Sequence, residues 1–165
     1  MKIAVIGATG KAGSLIAKEA LSRGHEVTAV VRRKEGIDTS KYGLIHKDLF
    51  DLTTEDLKGF DIVVSAYGVP PEKAQEHIAA MKKLISIMEE LPETRFFVVG
   101  GAASLYTDET QTKRVLSLIP EEYRAIPGAM LQAFELLKNS KVNWTFQSPA
   151  YNFDPEGART GKYTL

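Results

Sequence analysis

Ile3-Ala4-Val5-Ile6 runs straight into Gly7-Ala8-Thr9-Gly10-Lys11-Ala12-Gly13, and nothing else in the chain restricts its fold as strongly. A continuous apolar run of four residues is too short for a helix and does not alternate, so it reads as a parallel strand buried on both faces. The stretch after the glycines, Ser14 to Arg23, places Leu15, Ile16, Ala20 and Leu21 on one helical side, and Gly24 follows as a C′ glycine. Strand, glycine turn and amphipathic helix in that order open a βαβ unit.

The remainder continues the alternation. Val27–Val31 reads as a second strand, Leu44-Ile45 as a weak third, Asp61–Ser65 as a fourth, Arg95–Val99 as a fifth and Asn143–Gln147 as a sixth. Between them, Thr54–Leu57 predicts one helical turn capped by Thr53 or Thr54, and Glu72–Leu91 a helix closed by Pro92. Ala102–Pro120 reads as irregular, with a helical turn near Val115-Leu116. Glu121–Lys138 reads as mostly helical around Pro127. Short strands alternating with helices predict an α/β fold of one domain over residues 1–165, a doubly wound parallel sheet flanked by helices. Gly161–Leu165 looks like the start of a further strand, and such sheets seldom stop there without a closing helix, so the C-terminal end is expected to be incomplete.

Charge and cysteine content narrow the function. Lys plus Arg and Asp plus Glu both number 21, so no basic field draws the chain to nucleic acid or anionic lipid. Without cysteine there are no disulfides, thiolate metal sites or cysteine nucleophile, and the redox compartment is left open. No apolar run reaches the roughly 18 residues that span a membrane. The apolar start is broken at Gly7 before it could serve as a signal core. A cytoplasmic location, a small-molecule substrate, no membrane and no nucleic acid are the expectations; the oligomeric state is open.

The glycine spacing is GxxGxxG. Gly7 permits the turn out of the strand, Gly10 lets the backbone approach a pyrophosphate, and Gly13 lets the helix pack close to the sheet. The anion then meets free N–H groups at the helix N-terminus. Gly7, Thr9, Gly10, Lys11, Ala12 and Gly13 are therefore the candidate pyrophosphate positions. A site for NAD usually carries a carboxylate about 20 residues beyond the glycines; here the second strand runs into Arg32-Arg33-Lys34. A guanidinium suits a 2′-phosphate, so NADP(H) is the expected cofactor, with NAD(H) the alternative and Arg32 the candidate ligand.

These residues, with Arg23-Gly24-His25-Glu26 ahead of the second strand, resemble the atypical short-chain dehydrogenase/reductases. Within these, the chain looks most like the NADH-flavin reductase and biliverdin reductase B kinds. The likeness continues through Asp48-Leu49, Asp61–Ala66, Val98–Leu105 and Trp144–Ala150. It implies a Rossmann-type sheet with Asp48 and Leu49 beside the adenine, and Ala66, Tyr67 and Gly68 on the ribose side. It brings Gly100, Gly101, Ser104, Pro149 and Ala150 toward the nicotinamide. Ser104 is the candidate catalytic, substrate-contacting group.

The chain departs from the better-known short-chain dehydrogenases, whose Tyr-x-x-x-Lys pair supplies a general acid. None of its six tyrosines is followed by lysine four residues later. Ser104, Tyr106, Tyr67 and Pro149 to Tyr151 remain near the expected nicotinamide position. A flavin or similar conjugated acceptor asks less of the protein than a ketone does. The resemblance therefore implies an NAD(P)H-dependent reductase of flavins, quinones or another planar acceptor, with flavin a substrate and not a tightly bound cofactor. A non-catalytic NADP(H)-sensing regulator is the alternative, and a nucleotide-sugar epimerase or dehydratase a weaker one. His25, His46 and His77 show no metal spacing and are expected at the surface. No Gly-x-Ser-x-Gly elbow supports hydrolysis.

Overall fold

The computed structural model describes residues 1–150, 154, 156–158 and 161. Six strands, β1 (Lys2–Ile6), β2 (Glu26–Val31), β3 (Gly43–His46), β4 (Ile62–Ser65), β5 (Arg95–Val99) and β6 (Trp144–Gln147), form one sheet in the order β3-β2-β1-β4-β5-β6. All five pairings are parallel. This is the doubly wound Rossmann order, in which the chain reverses direction across the sheet between β1 and β4. The helices are α1 (Lys11–Ser22), the single turn α2 (Thr54–Leu57), α3 (Glu76–Met88) and α4 (Ala125–Lys138). Among the described residues, no helix is long and apolar enough to cross a membrane.

The strand apolarity seen in the sequence has its cause in two cores. Ala4 and Ile6 of β1 join Val30, Val63, Phe96 and Val98 against α3 and α4 on one face. Ile3 and Val5 join Val27, Ala29 and Val31 against Ala17 and Ala20 of α1 on the other. A central strand must therefore be apolar at successive residues, and the two-residue alternation of a half-exposed strand is lost.

Boundaries shift where local chemistry competes with the helix. The stretch read as one helix from Glu72 divides into a 3-10 turn, Pro71–Lys73, and α3 proper from Glu76. The last helix divides likewise into a 3-10 turn, Glu121–Tyr123, and α4, with Pro127 in its first turn, where a missing N–H costs nothing. Helix α1 begins at Lys11, inside the glycine loop. The expected cap at Thr53 is present as a capping box with Asp56. Gly24 has φ 78° just past α1, the left-handed conformation a C′ residue takes. The strand expected over 161–165 lies outside the described residues, Gly161 apart, and so does Tyr151.

Candidate functional site

A cleft of about 550 Å³ opens beyond the carboxyl ends of β1, β2, β4 and β5, at the point where the strand order reverses. Its floor and one wall are the glycine loop. Gly7 has φ 78°, and a Cβ there would come 2.7 Å from the Ala66 carbonyl oxygen, so the two loops touch backbone to backbone. The Gly10 N–H donates to the Gly7 carbonyl at 2.9 Å, and Ser14 N–H donates to Gly10 at the same distance. Between these bonds, the N–H groups of Lys11, Ala12 and Gly13 have no backbone acceptor among the described residues. Gly10 is the N-cap without a side-chain cap, and no acidic residue stands in the first turn. Those donors and the helix dipole face the cleft, which suits a pyrophosphate.

The end beyond β2 and β3 is cationic. Arg32, Arg33 and Lys47 line it. Arg32 is exposed, with its Nε 3.8 Å from an Asp48 carboxylate oxygen. The other Asp48 oxygen accepts from Phe50 N–H at 3.0 Å, capping the 3-10 turn Leu49–Asp51. Asp48 thus tethers Arg32 loosely while holding its own turn. Lys47 is engaged by Asp56 at 2.7 and 2.8 Å, which leaves the two arginines as the freer cations. His46 offers Nε2 to the Arg32 carbonyl at 3.1 Å and stays exposed.

The opposite end lies over β4, β5 and α4. Tyr67 donates its hydroxyl to Glu76 at 2.9 Å and packs edge-on to Phe50 and His77. Burial, then the bond and charge of Glu76, push the Tyr67 phenol up to about 12, so it stays protonated at neutral pH. Helix α4 presents Ile126 and Met130 to the cleft, one turn apart. That is the spacing at which a Tyr-x-x-x-Lys pair would stand, and both side chains here are apolar.

Of the residues singled out in the sequence, Gly7, Thr9, Gly10, Lys11, Ala12, Arg32, Leu49, Ala66, Tyr67, Gly68 and Gly100 line this cleft. Gly13 lies buried behind the loop, where any Cβ would collide with the Gly7 carbonyl. Gly101 faces Met130, whose sulfur would be 3.3 Å from a Cβ. Ser104 is buried and outside the cleft lining: its hydroxyl donates to Gly101 carbonyl at 2.8 Å and pairs with Ser148 at 2.6 Å. Pro149 and Ala150 follow β6 and do not line the cleft. Among the described residues no group of side chains could hold a metal ion.

One expectation is overturned. His77, expected at the surface beside charged neighbours, is 9% exposed and lines the cleft. Burial lowers its pKa, countered in part by the Glu76 carboxylate, so the ring is neutral at neutral pH. It packs on the Tyr67 ring and lies on the buried face of α3 with Ala80, Met81 and Leu84, at the i, i+3, i+4 and i+7 spacing of one helical stripe. Ile126 and Met130 were likewise missed, although their i,i+4 apolar spacing on a helix that follows β5 was a usable signal.

Comparison with known proteins agrees with this geometry. Residues 7–165 match the family described as NAD(P)H-binding. The uncharacterized YwnB protein of Bacillus subtilis is 46% identical over 168 residues, covering 99% of this chain and 78% of that one. The crystal structure of a candidate NADH-flavin reductase from Streptococcus pneumoniae is also 46% identical, with a TM-score of 0.91, over 99% of this chain and 79% of that one. A candidate epimerase from Bacteroides thetaiotaomicron is 34% identical with a TM-score of 0.80, over 99% of this chain and 76% of that one. With a cleft of this construction and a family match across nearly its whole length, the chain belongs to the NAD(P)H-binding Rossmann proteins of the atypical short-chain dehydrogenase/reductase kind.

Proposed function

We propose that the chain is an NADPH-preferring oxidoreductase that passes hydride to a planar conjugated acceptor such as a flavin or quinone. The carrying observation is the division of the cleft into a free N–H cradle with two arginines at one end and an apolar wall of Ile126 and Met130 at the other. The likeness to the streptococcal protein supports the same reading. A reduced nicotinamide, when bound, supplies the hydride. The chain's residues bind the pyrophosphate, orient the ring and keep water off the apolar end. Gly100, Gly101, Ser104, Pro149 and Ala150 are proposed on the nicotinamide side, with Ser104 buttressing the turn after β5 through Gly101 and Ser148. An epimerase reading is disfavoured by the apolar pair on α4. NADPH oxidation measured with and without FMN tests the proposal: FMN-dependent turnover supports it, and tight NADPH binding without turnover on FMN or a quinone overturns it in favour of a sensor.

Cofactor choice follows from Arg32. Arg32→Ala is expected to weaken NADPH binding by about 1.5–3 kcal/mol, the worth of a charge-assisted bond to the 2′-phosphate, and to leave NADH nearly unchanged. Titration of cofactor fluorescence reads both; equal losses for the two cofactors would remove Arg32 from the ribose end.

No single side chain is expected to be indispensable for hydride transfer. Tyr67 is held protonated with its hydroxyl on Glu76. Ser104 is engaged inward, and the Tyr106 ring lies under the Arg114 guanidinium, 4.6 Å from ring centre to Cζ. Single-turnover reduction of FMN in Ser104→Ala, Tyr106→Phe and Tyr67→Phe is expected to slow by about tenfold or less. Loss of a true general acid costs about 100- to 10,000-fold, so a thousandfold drop in any one would reveal it.

A further inference from the structure

Beneath the α4 end of the cleft, a cavity of about 30 Å³ lies between α3, α4 and the ends of β4 and β5. Tyr67, His77, Val99 and Met130 border both spaces, so the two adjoin. The cavity walls are apolar apart from Tyr67, whose hydroxyl is engaged by Glu76, and two other groups, the Ser65 hydroxyl and the His77 imidazole. Ser65 is 5% exposed and His77 9%. Neither side chain has a hydrogen-bond partner among the described residues, whereas no wholly inaccessible side-chain nitrogen or oxygen there lacks one. Their polar atoms therefore reach the adjoining spaces.

Both groups thus border space that a water or a ligand group can occupy, and each is free to bond to what enters it. About 30 Å³ holds a single water and no ring, whereas the cleft on the other side of His77 has room for one. A neutral imidazole presents one donor and one acceptor. The two nitrogens point away from each other, so one of them can bond a single carbonyl oxygen or ring N–H of an acceptor, such as those on the pyrimidine edge of a flavin. Tyr67, 5.8 Å away and at 81° to the ring, holds the imidazole at the junction.

We propose that His77 and Ser65 form a polar subsite for the hydrogen-bonding edge of a planar conjugated acceptor, His77 touching the acceptor and Ser65 reaching it through one water in the side cavity. The subsite deepens the reductase reading and rests on it. In contrast to the glycine loop, it serves the acceptor and not the dinucleotide.

The test uses protein loaded with NADP+ and titrated with oxidised FMN, with the histidine side-chain nitrogens followed by proton–nitrogen NMR. The His77 nitrogens are expected to move on adding FMN while those of His25 and His46 stay in place. His77→Phe is expected to raise the FMN dissociation constant about tenfold, the effect of one lost hydrogen bond, with His77→Gln recovering most of it and Ser65→Ala giving a smaller loss. Thermal melting confirms that each variant is folded, and the wild-type spectra decide the matter if one is not. His77 nitrogens that stay still at saturating FMN overturn the subsite and leave the reductase reading standing, provided FMN is turned over. If wild-type protein neither binds nor reduces FMN or a quinone, the reductase reading falls and the subsite with it.

Discussion

Gly10→Val is expected to weaken dinucleotide binding at least about a hundredfold while the protein remains folded. Gly10 has φ −76° and ψ 168°, ordinary extended backbone that valine adopts readily. A Cβ there lies 3.2 Å from the Gly7 carbonyl oxygen, close enough to require a shift of a few tenths of an ångström and no more. No side-chain cap is lost, since Gly10 has none; the poorer N-cap costs about 1 kcal/mol, or a few degrees of melting temperature. The branched methyls, however, stand over the N–H groups of Lys11 to Gly13, where the pyrophosphate must come. Losing two charge-assisted bonds at about 1.5–3 kcal/mol each exceeds the roughly 2.7 kcal/mol that separates hundredfold affinities. Cofactor fluorescence with circular dichroism measures both quantities; a folded variant with unchanged affinity would reduce the loop to a structural turn.

Gly13→Val, three residues along, is expected to do the opposite kind of damage. Here the Cβ collides with the Gly7 carbonyl and comes 3.2 Å from the Ala8 Cα, all backbone atoms of the loop that α1 rests on. No side-chain rotation relieves this. Either α1 moves away from the sheet, uncovering Ala17 and Ala20 from the core, or the turn at Gly7 unwinds. Overpacking costs about 1–3 kcal/mol, and a clash with rigid backbone belongs at or above the upper end. For a chain of this size that corresponds to a fall of at least about 6–12 °C in melting temperature. A variant melting with the wild type would mean that α1 does not approach the loop as described.

The contrast between these two glycines shows what the sequence could and could not convey. Their spacing and their place between an apolar run and an amphipathic stretch were legible, because close helix packing and phosphate approach both demand the absence of a side chain. The parallel direction of the strands followed from the alternation of elements, since parallel pairing needs crossover helices. His77 was legible but misread: Glu76, Lys82 and Lys83 suggest a solvated face, yet His77 shares the i, i+3, i+4, i+7 stripe of Ala80, Met81 and Leu84, which α3 buries. Ser104 shows the same limit from the other side. As a serine after the β5 glycines it invites a catalytic role, yet a short 3-10 turn directs its hydroxyl back to Gly101 and Ser148. Arg114, which donates to the Ser104 carbonyl and to Glu135, pins that irregular region through contacts no periodicity announces.

The central position of β1 also bears on how the chain reaches this structure. Residues 2–6 pair on one side with residues 26–30 and on the other with residues 62–65. During synthesis this apolar strand therefore emerges well before its second neighbour exists, with one row of backbone groups unsatisfied. Parallel pairing across such separations requires loop closure before any contact compensates it, which makes assembly slow relative to that of a helical protein. Until residues 62–65 arrive, the nascent chain thus carries an unpaired apolar strand edge open to self-association and to a chaperone.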